Sequence, residues 1–399
     1  MTFAVRFVGS QADIPDALWE ACFPPPLEGR WWYETLEASD LEDQFAFRYG
    51  LILEDGREVG IAPLFLMNVP LSISLPPALR PLVQRLERAL PAVFAPRTLF
   101  VGSPCSDEGT VGLLAGVERR AALETLQGAL EAEARRHRAP MIVWKDLPSS
   151  YDGDMAGLVA ARRLFRLVSF PNAVVDLPSA RKADYLASLK SSRRNKLRKK
   201  LRISAASVEL DTKVVTEPDP ALLDALVALF MHTYDKADTK FERLNRRFFE
   251  AVARKVPSRF IVLRERGVGA PVAFMLCFVL PDRIINKFIG IDYGRPKDWF
   301  LYFRLWDAVV DLALAEHASS IQSGQTAYSA KIEVGHRIVP LTNYGRHRLG
   351  PVQMLLRAIA ARISWSTLDD DLATWLKAHP ERAADQHGSP RDVVPRPPA

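Results

Sequence analysis

Two segments of the chain each predict a pair of antiparallel strands joined by a tight turn. Residues 259–280 contain the apolar runs RFIVLRER and APVAFMLCFVL, separated by a short turn with two glycines. Residues 45–69 contain FAFRYGLIL and VGIAPLFLMNV, separated by a turn around Asp55-Gly56. Apolar runs on either side of a glycine-containing turn are typical of β-hairpins. The chain is therefore expected to place two hairpins in β-sheets.

Segments with helical patterns surround both hairpins, and the order of elements is similar in two parts of the chain. Strand–turn–strand runs with helices between them occur in residues 1–175 and again in 205–345, without a repeated sequence. This order predicts an α/β fold of the α+β type, with mixed, largely antiparallel sheets flanked by helices. The predicted segments are an N-terminal half (1–178), a C-terminal half (179–345), C-terminal amphipathic helices (346–383) and a disordered tail (384–399).

The composition predicts an ordinary globular protein. The chain has 399 residues, of which 48% are hydrophobic and 25% charged, as in ordinary globular proteins. Its net charge of +6 is small for this length, whereas a dedicated nucleic-acid-binding protein usually spreads more charge. The three cysteines are far apart and the seven histidines scattered, so we expect no disulfide framework and no metal site. No signal-peptide pattern and no membrane-spanning apolar run is present, which predicts a soluble or peripheral cytoplasmic protein.

A basic run joins the two halves. Residues 190–202 contain eight basic residues in thirteen and no acidic one, within a predicted helix over 181–203. Like charges on one helix repel each other, and a bound anion would relieve this repulsion. The alternative is that the run is a solvated face, as most charge runs are. Arg193, Lys196 and Lys200 share one face of this helix, which suits a row of phosphates. The candidate anions are coenzyme A phosphates, an acidic carrier protein, tRNA and lipid headgroups.

A second polar segment, GQTAYSAKIEVGHRIVPL, spans residues 324–341 after a predicted strand. It concentrates five polar side chains before a glycine, and the alternative is an ordinary surface loop that leads into an edge strand. These side chains are Gln325, Thr326, Tyr328, Lys331 and Glu333.

Three segments together resemble the FemAB-like branch of the GNAT acyltransferase superfamily. The run LYFRLWDAVVDLALAEHASSIQSGQTAYSAKIEVGHRIVPL is similar to the long helix, strand and Tyr/Lys pair of that branch. SSRRNKLRKKLR resembles its basic helix, and VGSPCSDEGTVG resembles a loop of its N-terminal half. The resemblance covers about residues 45–345. It implies two GNAT-like halves and the transfer of an acyl group from an activated donor to an amine.

The chain departs from ordinary GNAT enzymes in one respect. It lacks the Gln/Arg-x-x-Gly-x-Gly/Ala loop that cradles the pyrophosphate of coenzyme A, so no motif indicates that donor. We expect no bound cofactor, with acyl-CoA as co-substrate and the basic helix as the source of phosphate contacts. The residues expected to bind the donor are Arg193, Arg194, Lys196, Lys200, Gln325 and Thr326.

Amide formation needs an unprotonated amine, because an aliphatic ammonium has a pKa of about 10. The candidate bases are His232, Asp235, Glu108 and Asp292, although a helix-end histidine and a helix-capping carboxylate are equally ordinary explanations. The tyrosines are candidate hydrogen-bond donors to the oxyanion or the leaving thiolate. The predicted catalytic set is His232, Tyr234, Asp235, Glu108, Tyr328 and Lys331.

Two apolar segments extend the hypothesis. Residues 61–98 form an apolar excursion rich in proline and leucine, with a short amphipathic helix near 79–90, and residues 351–365 predict an amphipathic helix with cationic flanks. Both segments could pack on the core, but with a basic helix they favour an enzyme at a membrane surface or a tunnel for long acyl chains. We therefore expect a peripheral protein of the inner membrane.

Within the branch, the sequence resembles bacterial ceramide synthases, which are sphingoid base N-acyltransferases. This resemblance implies fatty acyl transfer from an acyl thioester to a lipophilic amine, with acyl carrier protein as another candidate donor. A first alternative is a FemABX-type enzyme that uses aminoacyl-tRNA on a cell-wall precursor, although no long heptad pair predicts the coiled-coil arm of many such enzymes. A second is a non-catalytic protein that binds membranes or nucleic acid; nucleic acid is not the partner we expect.

Overall fold

The structure is a computed structural model that describes residues 2–25, 27–70, 80–89, 94–237, 242–384 and 386. The strands are β1 Phe3–Val8, β2 Ala46–Glu54, β3 Arg57–Asn68, β4 Arg97–Val101, β5 Gly112–Leu113, β6 Met141–Pro148, β7 Phe165–Val168, β8 Asn172–Asp176, β9 Leu210–Val215, β10 Ser258–Glu265, β11 Pro271–Val279, β12 Arg283–Ile291, β13 Ser320–Gln322, β14 Arg337–Val339 and β15 Leu341–His347. The helices are α1 Asp16–Cys22, α2 Arg30–Glu37, α3 Arg80–Ala89, α4 Arg119–Arg136, α5 Asp152–Arg162, α6 Lys182–Ser188, α7 Ser191–Ser207, α8 Pro220–Lys236, α9 Arg246–Ala253, α10 Leu301–Ala315, α11 Tyr328–Glu333, α12 Gly350–Ala360, α13 Trp365–Leu368 and α14 Asp370–Ala378.

The chain forms two compact units, each assembled from separate segments. Unit 1 contains residues 1–24, 42–171 and 339–399, and unit 2 contains 25–41 and 172–338. The predicted boundaries at 178 and 345 lie within seven residues of the points where the chain changes unit. The division into consecutive domains stays a prediction, because each unit also takes in a distant segment.

Unit 1 is built on a mixed sheet with the strand order β1-β2-β3-β4-β6-β15-β7, and β5 pairs with β3. β4 and β6 are parallel, while the other neighbours along this order are antiparallel. α4 covers the sheet with Leu123, Leu126 and Leu130, which are at most 1% exposed. Their i, i+3, i+7 spacing gives the helix one continuous apolar stripe, so the helix packs by that stripe on the strands.

Unit 2 has the strand order β14-β8-β13-β12-β11-β10-β9. β12 and β13 are parallel, and the strands from β9 to β12 are antiparallel to one another. α10 packs on this sheet through a buried face that includes Leu305, Trp306 and Val309. In the segment 25–41, Glu28 forms an ion pair of 2.6 Å with Lys287 of β12, whose side chain is 1% exposed. This buried pair ties the segment to unit 2.

The fold class is confirmed: both sheets are mixed, largely antiparallel and flanked by helices. Both predicted hairpins are also confirmed, as β2–β3 and β10–β11. Within the described residues no helix is both long enough and apolar enough to cross a membrane.

The prediction of one basic helix over 181–203 is wrong. The helix is interrupted at Leu189 and Lys190, which have extended backbone with ψ near 140°. The interruption turns the side chain of Leu189 into the core, where it is 6% exposed. Arg194 of the second helix then donates to the carbonyls of Leu186, Ala187 and Leu189 at 3.3–3.4 Å. These bonds satisfy carbonyls that a continuous helix would have satisfied itself.

The apolar run FRLVSFPNAVVDL, residues 165–177, predicts one continuous strand, and this prediction is also wrong. β7 belongs to the sheet of unit 1 and β8 to the sheet of unit 2, and Ser169–Pro171 connect them. Pro171 has no backbone N–H, so a ladder cannot continue through it.

The predicted apolar excursion over 61–98 starts too early. Residues 61–68 belong to β3, where Ile61 to Leu66 are buried in the sheet. The amphipathic helix predicted near 79–90 is present as α3. The remainder of the excursion at 71–79 and 90–93, and nearly all of the tail predicted as disordered at 384–399, lie outside the described residues.

Candidate functional site

The parallel strands of unit 2 separate partway along their length. β12 and β13 pair from Arg283↔Ser320 to Ile285↔Gln322, after which β12 continues to Ile291 and the chain leaves β13. At the separation point, the side-chain amide of Asn286 donates to the hydroxyl of Ser323 at 3.0 Å. A polar residue on a buried strand needs such a partner. This hydrogen bond links β12 to the segment after β13 where the two strands diverge.

A buried histidine extends this contact into a chain of hydrogen bonds. His336 lies with Nε2 at 2.8 Å from the hydroxyl of Ser323 and Nδ1 at 2.9 Å from the carbonyl oxygen of Lys331. Burial, assisted by the nearby ammonium of Lys331, lowers the pKa of His336 to about 3. The ring is therefore neutral near pH 7, and because a carbonyl only accepts, Nδ1 carries the proton and Nε2 accepts from Ser323.

Ser323 and His336 thus have the arrangement of a nucleophile and its base, but not the required basicity. A general base works best when its pKa lies near the working pH, and a pKa of about 3 is far below it. The chain of bonds also continues to Cys277, whose thiol donates to Asn286 at 3.4 Å and whose pKa is raised by burial. We assign this network to holding the strands and the following loop in place.

The loop after β13 is fixed by a buried lysine. Gly324, Thr326 and Ala327 all have left-handed backbone, with φ of 58°, 64° and 51°. Left-handed conformations at two consecutive non-glycine residues are strained and need support from their surroundings. The ammonium of Lys331, 7% exposed, supplies it by donating to the carbonyls of Gly324 and Gln325 at 3.1 and 2.9 Å.

Two polar atoms at this site are buried without a hydrogen-bond partner. They are Nε2 of Gln325 and Oε1 of Glu333, a donor and an acceptor respectively. The other carboxylate oxygen of Glu333 forms an ion pair of 2.7 Å with Lys200 of α7. Buried polar atoms in folded proteins are nearly always paired, so each exception points to a missing partner. A ligand with both an acceptor and a donor would complete the site.

Aromatic side chains surround the Lys200–Glu333 pair. The ammonium of Lys200 lies 3.8 Å from the centroid of the Phe303 ring and 5.8 Å from that of Phe300. Aromatic faces and a carboxylate together stabilise an ammonium group. The ring of Phe303 and the carboxylate of Glu333 therefore hold the ammonium of Lys200 in place.

The structure brings part of the predicted set together. Gln325 and Thr326 lie in the loop, Tyr328 and Lys331 lie in α11, and Lys200 reaches the end of α11 through Glu333. Tyr328 is 0% exposed, so its hydroxyl lies in the interior.

The other predicted residues are more dispersed. On α8, His232 and Asp235 are exposed, while Tyr234 packs against Phe230 and has its pKa raised by burial. Glu108 is half-buried in unit 1. On the basic helix, now α7, Arg193 and Arg194 are half-buried and Lys196 is exposed. Arg194 donates to the carbonyls of Leu186, Ala187 and Leu189.

Sequence reasoning missed His336, Ser323 and Asn286, and it did not single out Glu333 as a base. One signal was available, because Asn286-Lys287 is a polar pair inside the otherwise apolar run RIINKFIGI. A polar pair in a buried strand indicates specific partners. The described residues contain no cluster of three His, Cys, Asp or Glu side chains suited to a metal ion.

Solved structures share this architecture. FemX aligns with 88% of this chain and all of its own chain at 11% identity and a TM-score of 0.57. A tandem GNAT protein from the clavulanic acid biosynthesis pathway aligns with 87% of this chain and 99% of its own at 13% identity and a TM-score of 0.51. The fold is GNAT-like. At these identities the likeness concerns the fold alone.

Sequence comparisons agree with this fold. Residues 177–360 match the FemAB-like family, described as peptidoglycan biosynthesis/recognition, which supports the FemAB branch of the GNAT-like proteins. "Putative 8-amino-7-oxononanoate synthase 2" of Mycobacterium tuberculosis, found in two strains, is 24% identical over 376 residues. The match covers 90% of this chain and 47% of that protein. The chain therefore spans about half the length of the curated relatives it matches.

Proposed function

We propose that this chain is an N-acyltransferase that moves a fatty acyl group from an acyl thioester to a lipophilic amine such as a sphingoid base. The observation that carries the proposal is the buried, unpartnered Oε1 of Glu333 beside the aromatic rings that already hold an ammonium group. The GNAT-like fold and the FemAB-like match support acyl transfer as the reaction class.

In the proposed reaction the amine nitrogen attacks the thioester carbonyl carbon. The C–N bond forms, the C–S bond breaks, and the sulfur leaves as a thiolate. Oε1 of Glu333 accepts the proton that the amine loses, and solvent returns a proton to the thiolate. The ion pair of 2.7 Å with Lys200 fixes the carboxylate, so that Oε1 points to the acceptor. An aliphatic amine is protonated near pH 7, so the ammonium first loses one proton to solvent and becomes nucleophilic. The proton that Oε1 of Glu333 accepts is the second one, which the nitrogen loses as the amide forms.

The donor and acceptor classes rest on less direct support. Arg193 and Lys196 of α7 are the cations we assign to the phosphates of acyl-CoA, with Gln325 supplying an amide donor. Acyl carrier protein is the alternative donor, since an acidic surface would meet the same helix.

The test is mass spectrometry of reactions with the purified chain. Long-chain acyl-CoA with sphinganine is the main pair, with short-chain acyl-CoA and polar amines as controls. An N-acyl product formed selectively with the long-chain pair is the expected result. A product with every donor and amine would remove the lipid specificity but keep acyl transfer. No product with acyl-CoA or acyl carrier protein would overturn the proposal.

Aminoacyl transfer from tRNA is a second candidate, favoured by one observation. Five cations around α7 are exposed: Lys190, Lys196, Arg198, Lys199 and Arg202. A polyanion such as tRNA would release several counterions on this surface, and its binding would weaken steeply with salt. Incubation with aminoacyl-tRNA and an amine acceptor distinguishes the two, because transfer of an amino acid, but not of a fatty acyl group, would assign the helix to tRNA.

A further inference from the structure

Helix α12, in the C-terminal segment of unit 1, exposes large apolar side chains and buries a polar one, unlike a typical surface helix. Its buried positions are Gln353 and Ala360, which are 7% and 6% exposed. Its exposed positions include Met354, Leu355 and Ile359, at 74%, 60% and 46% exposure. A helix on a protein surface normally buries its apolar side chains and exposes its polar ones. Here Met354, Leu355 and Ile359 face away from unit 1, while Val352 and Leu356 are half-buried.

Specific hydrogen bonds fix this orientation. The side-chain oxygen of Gln353 accepts from the backbone N–H of His347 at 2.6 Å, and its amide nitrogen donates to the carbonyl of Arg163 at 2.6 Å. Rotating the helix to bury Met354 and Leu355 would break both bonds and leave backbone groups unpaired. The exposed apolar face is therefore imposed by the packing of unit 1.

The exposed apolar side chains form one patch. Leu349 immediately precedes the helix and is 52% exposed. Together with Met354, Leu355 and Ile359 it accounts for half of the exposed large hydrophobic residues in the described part of the chain. We call these four residues the α12 patch. Concentrated apolar exposure of this kind marks an interaction site, whereas single exposed apolar residues are normal.

Arginines are concentrated near the α12 patch. Residues 339–368 contain four arginines and no acidic residue, and three aspartates, Asp369 to Asp371, follow directly in sequence. Arg348, Arg357 and Arg362 are exposed, and Arg346 is half-buried. Apolar side chains that are flanked by arginines match a bilayer surface, where the former enter the acyl region and the latter meet anionic headgroups.

We propose that the α12 patch docks unit 1 onto an anionic lipid membrane, with the helix lying in the plane of the interface. We choose a membrane as the partner because three of the four arginines near the patch are exposed, and exposed cations beside apolar side chains suit anionic headgroups over an acyl region. This proposal concerns a surface of unit 1 and does not depend on the acyl-transfer activity proposed above.

The experiment is flotation of the purified full chain with vesicles of phosphatidylcholine alone or with 30% phosphatidylglycerol. The variant M354Q/L355Q/I359Q removes the apolar contact, and V214Q/V256Q/V268Q is a matched control that changes three exposed apolar residues elsewhere. We expect wild type and the control to float with anionic vesicles. The patch variant should bind these vesicles at least roughly 10-fold more weakly than wild type. R348Q/R357Q should weaken binding to anionic vesicles while the thermal unfolding midpoint stays unchanged.

Three outcomes would overturn the proposal. The first is that wild type binds neither vesicle, and the second is that the patch variant binds as well as wild type. The third is a wild-type dimer by light scattering that the patch variant converts to a monomer, without vesicle binding, which would assign the surface to a second copy of the chain. Acyl transfer from long-chain acyl-CoA to sphinganine, both supplied in detergent micelles without vesicles, should be retained by the patch variant, so failure of docking and failure of catalysis are separable.

Discussion

The two compact units each contain a parallel strand pair, and they differ in how the loop after that pair is held. In unit 1, β4 and β6 pair as far as Val101↔Trp144, and the loop beyond packs on backbone: the N–H of Gly109 donates to the carbonyl of Asp146 at 2.8 Å. In unit 2, the loop after β13 is held by the side chains of Lys331 and His336.

The polar groups at the two positions differ in the same way. In unit 1 the carboxylate of Asp146 accepts from both Lys145 and Ser169, and its backbone N–H donates to Asn343 at 2.6 Å. In unit 2 an oxygen of Glu333 and the amide nitrogen of Gln325 have no partner. The carboxylate of Asp146 is hydrogen-bonded within the protein, whereas the atoms of Glu333 and Gln325 leave an acceptor and a donor that the proposed substrates would pair. This difference locates the proposed chemistry in unit 2.

The largest expected effect distinguishes the carboxylate of Glu333 in unit 2 from that of Glu108 in unit 1. Glu333→Gln keeps the shape of the side chain but removes the proton acceptor, so we expect kcat to fall by roughly 10³-fold. Glu108→Gln, in the loop of unit 1, should reduce kcat far less. Steady-state kinetics with the acyl donor that proves active measures both, with thermal unfolding as the control for folding. A larger loss for Glu108→Gln would reverse the assignment of the units.

A glycine-to-alanine substitution tests how closely the loop of unit 1 packs on the neighbouring backbone. An ideal Cβ on Gly109 would lie 1.9 Å from the carbonyl oxygen of Lys145. Because two backbone segments must separate to admit it, Gly109→Ala should lower the free energy of unfolding by about 3 kcal/mol. Gly153→Ala is the matched control: its Cβ meets nothing within 4 Å, and in helix α5 it should stabilise by ~0.5–1 kcal/mol. Denaturant unfolding measures both, and equal stability of the two variants would contradict the close packing.

A buried histidine of unit 2 gives stability a pH dependence. Burial lowers the pKa of His336 from 6.5 to about 3. The histidine is therefore protonated below about pH 6.5 in the unfolded chain but only below about pH 3 in the folded chain. The unfolding free energy therefore decreases as pH falls through this window. Between pH 7 and 5 we expect wild type to lose about 2 kcal/mol more than His336→Gln.

The counterpart in unit 1 sharpens this prediction. Burial also lowers the pKa of His347, but by less, so His347→Gln should change the pH slope in the same direction and to a smaller extent. Urea unfolding at a series of pH values gives the slopes. If His336→Gln has the same slope as wild type, the ring is not held neutral in the folded state.

Local patterns predicted the sheets of both units, but contacts between distant residues decided where elements end. The hairpins followed from apolar runs and the Asp55-Gly56 turn, which are contained in short windows. The interruption of the basic helix could not be predicted in this way. An ideal Cβ on Gly335 would lie 2.4 Å from Leu189, so the position of Leu189 depends on a glycine that is distant in sequence.

The same limit applies to the candidate site. The polar segment after β13 was identified from residues that are adjacent in sequence, and Gln325, Tyr328 and Lys331 do lie in one loop and helix. The open oxygen of Glu333 was not identified, because it depends on how Lys200 uses the other carboxylate oxygen. A sequence gives the charge of each residue, whereas an unpartnered buried atom exists only after packing.

The smallest expected effect concerns the basic helices of the two units. Arg193→Gln combined with Lys196→Gln removes two cations of α7 that we assign to the donor, so the donor KM should rise by about 10-fold, or ~1.4 kcal/mol. Arg135→Gln with Arg136→Gln removes two exposed cations from the last turn of α4 in unit 1 and serves as the control.

The control separates site-specific binding from general attraction of an anion to a basic protein. General attraction depends on net charge, which both double variants lower by two, and it is screened by salt beyond about 10 Å at 0.1 M. A donor KM raised by the α7 variant alone, and still raised at 0.3 M salt, would support direct phosphate contacts. Equal changes in both variants that disappear with salt would mean that α7 contributes charge without forming the donor site, and Gln325 and Glu333 would remain as the groups that position the reactants.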